Sequence, residues 1–323
     1  MKPAVLLTRR VPASVYRRLE AVCEVDLHEG EAAIPREELI RRVADMDALL
    51  CLLTDRVDRA VIAAGPRLKI IANIAVGYDN VDVASASARG IVVTNTPDVL
   101  TVATAEFTWA LILAITRRVA EGDRVVRAGR WKGWALDYML GMELRGKQLG
   151  VVGLGRIGSA VASRAAAFGM TVVASSLPGD PARAGSPLPL QDVRSTALDE
   201  LLRTSDVISL HVPLTPGTHH LIDRARLTRM KRSAYLVNTS RGPVVDEEAL
   251  AWALGERLIA GAALDVYERE PDIHPALLPL ENVVLAPHLG SATTETRTAM
   301  ADLAVSNVLS VLDGRPPLTP VAV

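Results

Sequence analysis

The stretch Gln148–Gly169, QLGVVGLGRIGSAVASRAAAFG, constrains the fold more than any other part of the chain. It reads as a short buried strand, a turn carrying Gly153, Gly155 and Gly158, then an Ala-rich helix. In a G-x-G-x-x-G turn the first glycine makes the tight bend and the second lets a pyrophosphate approach the backbone. The third lets helix and strand pack closely. The unpaired N–H groups and the dipole at the helix start then favour phosphate. Glycine-rich turns are common, so the triplet alone says little. Its place between a strand and a helix is the context that supports nucleotide binding.

Around this unit, strand and helix segments alternate. Strands are expected at Val5–Thr8, Val22–Leu27, Ala48–Leu53, Lys69–Asn73 and Ile91–Thr94, with helices at Pro12–Glu20, Arg36–Val43 and Arg59–Ala63. That alternation predicts an open parallel sheet covered on both faces. Thr96-Pro97-Asp98 interrupts it, because a residue before proline is pushed out of helical geometry. One long helix is expected over Thr101–Ala120, then a polar segment, Arg127–Leu140, holding Trp131 and Trp134. The second alternating region predicts six strands: Gln148–Val152, Thr171–Ser175, Val207–His211, Ala234–Asn238, Ile259–Ala263 and Val283–Leu285. Six suits a doubly wound dinucleotide fold. Leu177–Pro189, rich in Pro, Gly and Ala, reads as an exposed loop, and Thr294–Leu312 as a final helix.

Four motifs flank or follow the glycine turn: VGYDNVD (Val76–Asp82), NTSRGPVVDEEAL (Asn238–Leu250), LDVYEREP (Leu264–Pro271) and APHLGSAT (Ala286–Thr293). Together they resemble the D-isomer-specific 2-hydroxyacid dehydrogenases, and within them the glyoxylate/hydroxypyruvate reductase branch. The likeness runs from about Leu49 to about Thr293, with independent motifs in the family's order. It implies an α/β chain of two doubly wound parallel-sheet domains, a flavodoxin-like substrate domain and a Rossmann dinucleotide-binding domain. The substrate domain would comprise residues 1–98 with 288–323, and the other residues 99–287.

Reducing a 2-oxo acid requires a group that moves a proton to the substrate oxygen, a cation for the carboxylate and carbonyl, and a fixed nicotinamide. His288 follows the last strand, at a carboxyl end, where open parallel sheets bind ligands. Imidazole titrates near pH ~6.5 and can give and take protons. A loop histidine satisfied by backbone is the plainer alternative; the match of PHLGSAT to the family makes His288 the acid/base. Glu270 resembles the family glutamate that precedes proline five residues after an aspartate, here Asp265. A carboxylate beside imidazole favours the protonated ring and orients it. Glu268 is the local rival. Arg241, at a strand's carboxyl end, can grip a carboxylate with its planar fork as lysine cannot.

The resemblance adds Val76 and Gly77 as backbone donors to the carboxylate, with Leu53 and Trp134 lining the substrate pocket. Its implied cofactor contacts are Thr104, Gly153, Gly155, Arg156, Ile157, Gly158, Ser175, Ser176, Thr239, Asp265 and Gly290. The implied reaction has His288 donate to the 2-oxo oxygen as hydride reaches carbon, with Arg241 neutralising charge and domain closure excluding water.

An acidic residue about 20 positions after the glycine motif normally binds the ribose 2′-hydroxyl of NAD. Here that strand ends Ala174-Ser175-Ser176. Serines can donate to a 2′-phosphate and Arg183 can add charge, so NADP(H) is favoured, with NAD(H) left open. The family's NADPH users usually place arginine directly after the serine, and this chain has Leu177 there.

Composition narrows the rest. A formal net charge of −1 gives no electrostatic case for nucleic acid or an anionic membrane. Cys23 and Cys51 lie in apolar runs and read as free core thiols of a reducing cytoplasm. No signal-peptide core opens the chain, the longest apolar run, around Trp109–Ile115, is too short to span a bilayer, and no metal-ligand cluster is legible. Trp131 and Trp134 resemble the paired tryptophans at the reductases' dimer interface, so a homodimer is expected, with one tryptophan reaching the partner's site.

Glyoxylate and hydroxypyruvate are the expected substrates. Phosphoglycerate dehydrogenases of the long type carry further C-terminal domains, and formate dehydrogenases put glutamine at the position of Glu270. 2-Ketogluconate and phosphite stay open. The same fold also serves a nucleotide-sensing corepressor that keeps the Arg, Glu and His, so those residues alone do not separate enzyme from binding protein.

Overall fold

The computed structural model describes residues 2–176 and 193–322, which form two compact units. The expected loop Leu177–Pro189, with Arg183, lies outside the described residues.

The first unit contains residues up to Leu100 and those from Thr293 onward. Its elements run β1 (Ala4–Leu7), α1 (Ala13–Glu20), β2 (Glu24–Leu27), α2 (Arg36–Arg42), β3 (Ala48–Cys51), α3 (Arg59–Ala64), β4 (Ile70–Asn73), α4 (Val83–Ser87) and β5 (Val92–Thr94). The strands pair in parallel in the order β2-β1-β3-β4-β5, the flavodoxin-like arrangement. Every residue of β3 and β4 is buried, as expected for central parallel strands covered on both faces. Helix starts follow their caps: Asp58 accepts the N–H groups of Ala60 and Val61, and Asp82 accepts that of Ser85.

The second unit spans Thr101–Ala292. It opens with α5 (Thr101–Thr116) and α6 (Val119–Arg127) where one long helix was expected. The break has a local cause. Arg118 sits in the left-handed region at φ 54°, and Met142 N–H caps the Thr116 carbonyl at 2.8 Å. Gly141 lies so close to that carbonyl that a Cβ would fall 2.4 Å from its oxygen. Then come β6 (Gln148–Val152), α7 (Arg156–Arg164), β7 (Thr171–Ser175), β8 (Val193–Ser195), α8 (Leu198–Thr204), β9 (Val207–Leu210), α9 (Arg224–Leu227), β10 (Tyr235–Asn238), α10 (Glu247–Gly255), β11 (Gly261–Leu264) and β12 (Val283–Leu285).

These strands form a parallel sheet of seven, not six, in the order β12-β11-β10-β9-β6-β7-β8. The added strand, β8, is an edge strand of three residues, none buried, so no apolar run announced it. Between β6 and β9 the strand order reverses direction, the switch point at which doubly wound sheets bind nucleotides. β10, β11 and β12 are neighbours, so their carboxyl ends emerge side by side.

The chain closes with α11 (Thr294–Leu312), which packs in the first unit against β3, β4 and α1. The sequence placed the last boundary before His288, whereas residues 288–292 stay with the second unit. The reason is local: Asp265 holds the backbone N–H groups of His288, Leu289 and Gly290. Among the described residues no helix is long and apolar enough to cross a membrane, and no cluster of acids, histidines and cysteines could hold a metal.

Candidate active site

Three loops leave the adjacent carboxyl ends of β10, β11 and β12, and each carries one of the three expected groups. On the first, buried Asn238 fixes the backbone from both ends of its side chain. Its Oδ1 accepts from the Ser240 N–H at 3.0 Å and hydroxyl at 2.8 Å, and its Nδ2 donates to the Arg241 carbonyl at 2.9 Å. Arg241 is half-buried, with one Nη1–H on the Ser240 carbonyl. Gly242 follows because nothing larger fits: a Cβ would lie 1.9 Å from the Tyr267 carbonyl oxygen of the second loop. That close approach holds the Arg241 loop against the loop that carries Glu270.

On the second loop, Glu270 Oε1 accepts the Tyr267 N–H at 3.1 Å, and Oε2 lies 2.9 Å from His288 Nδ1. Burial alone would raise the Glu270 carboxyl. The hydrogen bond and charge of His288, the Tyr267 N–H and the charge of Arg241 outweigh it, and the group is held below its ordinary value. Tyr267 anchors the loop from the other side by donating its hydroxyl to the Ala286 carbonyl at 2.9 Å.

On the third loop, His288 adopts φ 53°, a left-handed conformation that costs a residue with a Cβ roughly 1–2 kcal/mol. Asp265 offsets that cost. Its carbonyl accepts the His288 N–H at 3.0 Å, and its carboxylate accepts the N–H groups of Leu289 at 2.6 Å and Gly290 at 2.8 Å. Burial pushes the Asp265 carboxyl up, against those two hydrogen bonds. With Nδ1 committed to Glu270, the Nε2 of His288 is the atom left for a reacting oxygen. A left-handed backbone at a non-glycine residue is a common mark of a functional loop.

The glycine turn fits a dinucleotide. Gly153 has φ 90°, and a Cβ there would meet the His211 carbonyl oxygen at 2.7 Å. A Cβ at Gly158 would lie 2.0 Å from the Gly153 oxygen, which is the close helix–strand contact expected of the third glycine. At Gly155 nothing lies within 4 Å of a Cβ, which leaves open space in front of the α7 N-terminus. Arg156 is exposed and Ile157 half-buried at that helix start. Gly153 N–H donates to the Ser175 carbonyl at 2.9 Å, which joins the turn to the end of β7. Ser175 is buried and Ser176 exposed.

Thr104, Asp265 and Gly290 meet: a Cβ at Gly290 would contact the Asp265 carboxylate and the Thr104 side chain. Thr239 pairs with Thr108 at 2.9 Å, and Thr108 donates to the Thr104 carbonyl. The structure thus brings together Arg241, Glu270 and His288, and separately Thr104, Asp265 and Gly290. Leu53, Val76 and Gly77 belong to the first unit. There, Asn73 Nδ2 donates to the Gly77 carbonyl and Asn95 Nδ2 to the Val76 carbonyl, while Asn80 joins the Leu52 and Asp55 carbonyls. Trp134 is 82% exposed. The pairing of Asn73 with Asn80 went unread in sequence because two asparagines seven residues apart carry no pattern.

A Rossmann turn and a histidine–carboxylate pair at the carboxyl ends of one parallel sheet, with Arg241 on a neighbouring loop, are the parts expected of a dinucleotide-dependent dehydrogenase. Comparison with known proteins is specific. The family model described as D-isomer specific 2-hydroxyacid dehydrogenase, NAD binding domain, matches residues 109–290. Glyoxylate reductase from Thermofilum pendens is 49% identical over 98% of this chain and 93% of its own length. A crystal structure of a Thermus thermophilus protein superposes with a TM-score of 0.90 at 48% identity, covering 99% of this chain and all of that one. NADPH-dependent glyoxylate/hydroxypyruvate reductase from Sinorhizobium meliloti, solved with NADP and malonate, gives 0.87 at 35% identity, covering all of this chain and 97% of the other. The chain belongs to the D-isomer specific 2-hydroxyacid dehydrogenase family. It is an NAD(P)-dependent enzyme that reduces 2-oxo acids, and the corepressor and phosphite alternatives are not favoured.

Proposed function

We propose that the enzyme reduces glyoxylate and hydroxypyruvate to the corresponding 2-hydroxy acids, with NADP(H) preferred over NAD(H). The observation that carries this reading is the His288–Glu270 pair at 2.9 Å, with Glu270 on a loop that Gly242 holds against the Arg241 loop. Small 2-oxo acids are favoured by the glyoxylate reductases among the relatives.

When bound, the reduced nicotinamide supplies a hydride. The residues do the rest. Arg241 binds the substrate carboxylate and polarises the 2-oxo group. His288 gives its Nε2 proton to the 2-oxo oxygen as the carbon becomes tetrahedral, so the oxo group becomes a hydroxyl. Glu270, accepting from Nδ1–H, holds the ring in one orientation with Nε2 free for transfer. Thr104, Thr239, Asp265 and Gly290 hold the nicotinamide end, Arg156 and Ile157 help form the phosphate cradle, and Ser175 and Ser176 face the ribose end.

The absence of an acid at Ser175 and Ser176 favours a 2′-phosphate. The exposed Trp131 and Trp134 favour a homodimer. The buried free thiols Cys23 and Cys51 favour a reducing cytoplasm. One panel tests the substrate and cofactor assignments: loss of NADPH or NADH absorbance with glyoxylate, hydroxypyruvate, pyruvate and 2-ketogluconate. The expected order places glyoxylate and hydroxypyruvate first, with higher kcat/KM for NADPH. A clear preference for 2-ketogluconate, or for NADH, would overturn the corresponding part.

A further inference from the structure

Glu268 and Glu270 stand two residues apart after β11, yet they bond to different partners. Glu270 serves His288. Glu268 Oε1 accepts the Glu247 N–H at 2.9 Å and lies 3.1 Å from His220 Nε2. A carboxylate only accepts, so Nε2 carries the proton of that bond. Glu247 returns the contact, its Oε1 accepting the Glu268 N–H at 2.6 Å, while its Oε2 accepts the His274 N–H at 3.3 Å. Glu247 is buried in the first turn of α10, where the helix dipole favours an anion. His220 also holds the other side, donating its backbone N–H to the Pro243 carbonyl at 2.7 Å.

These bonds form a cross-brace. One side is the segment Arg241–Glu247, which carries the guanidinium. The other is the segment Tyr267–Glu270, which carries the acid. Gly242 fills the gap between them with no room for a side chain.

We propose that Glu268 is a positioning residue that sets the separation between Arg241 and the His288–Glu270 pair. The inference rests on the function proposed above for those three groups. Arg241 must hold the carboxylate while His288 meets the neighbouring oxygen, and a displacement of about 1 Å can cost about 10²-fold in rate.

The test compares Glu268→Ala with Glu268→Gln. A single oxygen, Oε1, takes both the Glu247 N–H and the His220 proton, and the carboxamide oxygen of glutamine can take its place. Glu268→Ala is expected to lower kcat about 10- to 100-fold and to raise KM for the 2-oxo acid, with the dissociation constant for NADPH unchanged within about twofold. Glu268→Gln is expected to restore both parameters to within about threefold of wild type. Unaltered kinetics in Glu268→Ala overturn the proposal. So does a Glu268→Gln enzyme as poor as Glu268→Ala, or NADPH binding that falls in step with kcat. A wild-type enzyme that reduces none of the 2-oxo acids sinks the functional reading instead. Amide hydrogen exchange at Glu247 then decides the brace, faster in the alanine variant and restored by glutamine if it exists, unchanged if it does not.

Discussion

Nδ1 of His288 lies 2.9 Å from Oε2 of Glu270, although eighteen residues separate them in the chain. The contact fixes which nitrogen is committed and which is left for chemistry. Replacing His288 with Asn keeps a polar side chain of similar reach but removes the transferable proton. Turnover is expected to fall by about 10²–10⁴-fold, the range typical of losing a general acid. Steady-state kcat with glyoxylate and NADPH checks it, and a variant with normal turnover removes the assignment.

The same pair makes stability depend on pH in a definite direction. Glu270 is held below its ordinary value of 4.5, so its ionised form is favoured in the folded state. The stabilisation is present above the unfolded value and is lost as the pH falls through the folded one. Glu270→Gln removes this contribution. The Tm difference between wild type and variant is therefore expected to be largest near neutrality and to shrink below pH 4.5. Thermal unfolding from acid to neutral pH measures it, and a gap that widens in acid contradicts the shift.

Arg241→Lys keeps the charge and discards the fork. Lysine cannot present two parallel N–H donors to one carboxylate. Losing one charge-assisted hydrogen bond of roughly 1.5–3 kcal/mol predicts a fall in kcat/KM of about 10- to 100-fold. KM should rise, since the carboxylate is bound before reaction, and kcat should fall, since the oxo group is polarised during it. Kinetics like those of wild type would place the substrate elsewhere.

Much of this was legible in the residues because each informative group follows a buried apolar strand. Asn238, Asp265 and His288 come at or just after the ends of β10, β11 and β12, and the strands themselves are readable runs. That the three ends lie side by side was not readable, because strand order follows from crossover geometry rather than from local composition. Edge strand β8 was missed for want of a buried residue, and the break at Arg118 because its cause, the Gly141–Met142 segment, lies more than twenty positions on. The distinct partners of Glu268 and Glu270 were equally hidden: both are glutamates in one loop, and their partners, His220 with Glu247 and His288, lie far away in the chain.

Gly158 and Gly155 of the turn should fail in different ways. At Gly158 an added Cβ would sit 2.0 Å from the Gly153 oxygen, so Gly158→Ala must push α7 off its strand. Overpacking of this kind costs about 1–3 kcal/mol, which predicts a Tm lower by several degrees along with weaker NADPH binding. At Gly155 nothing stands near the added methyl. Gly155→Ala is expected to keep its Tm yet lose dinucleotide affinity, because the methyl occupies the space through which the pyrophosphate approaches. Calorimetric unfolding and fluorescence titration with NADPH separate the two. Equal losses of stability in both variants would contradict the role assigned to the open position.

The exposed apolar segment carries the last prediction. Trp131 is 55% exposed, Trp134 82%, Leu136 83% and Leu140 67%, while α6 just before them buries no residue and leaves Val126 60% exposed. Large apolar side chains this exposed along one short segment are costly in water and are the kind of surface that interaction sites use. A second copy is the proposed cover. Leu136→Glu with Leu140→Glu should convert a species of twice the chain mass into one of single chain mass by sedimentation equilibrium. Trp134→Ala should leave the mass doubled but raise KM for the 2-oxo acid, if that indole reaches the neighbouring subunit's substrate. A wild-type chain that sediments as a monomer ends the dimer proposal, and a Trp134→Ala dimer with normal KM confines the indole to the interface.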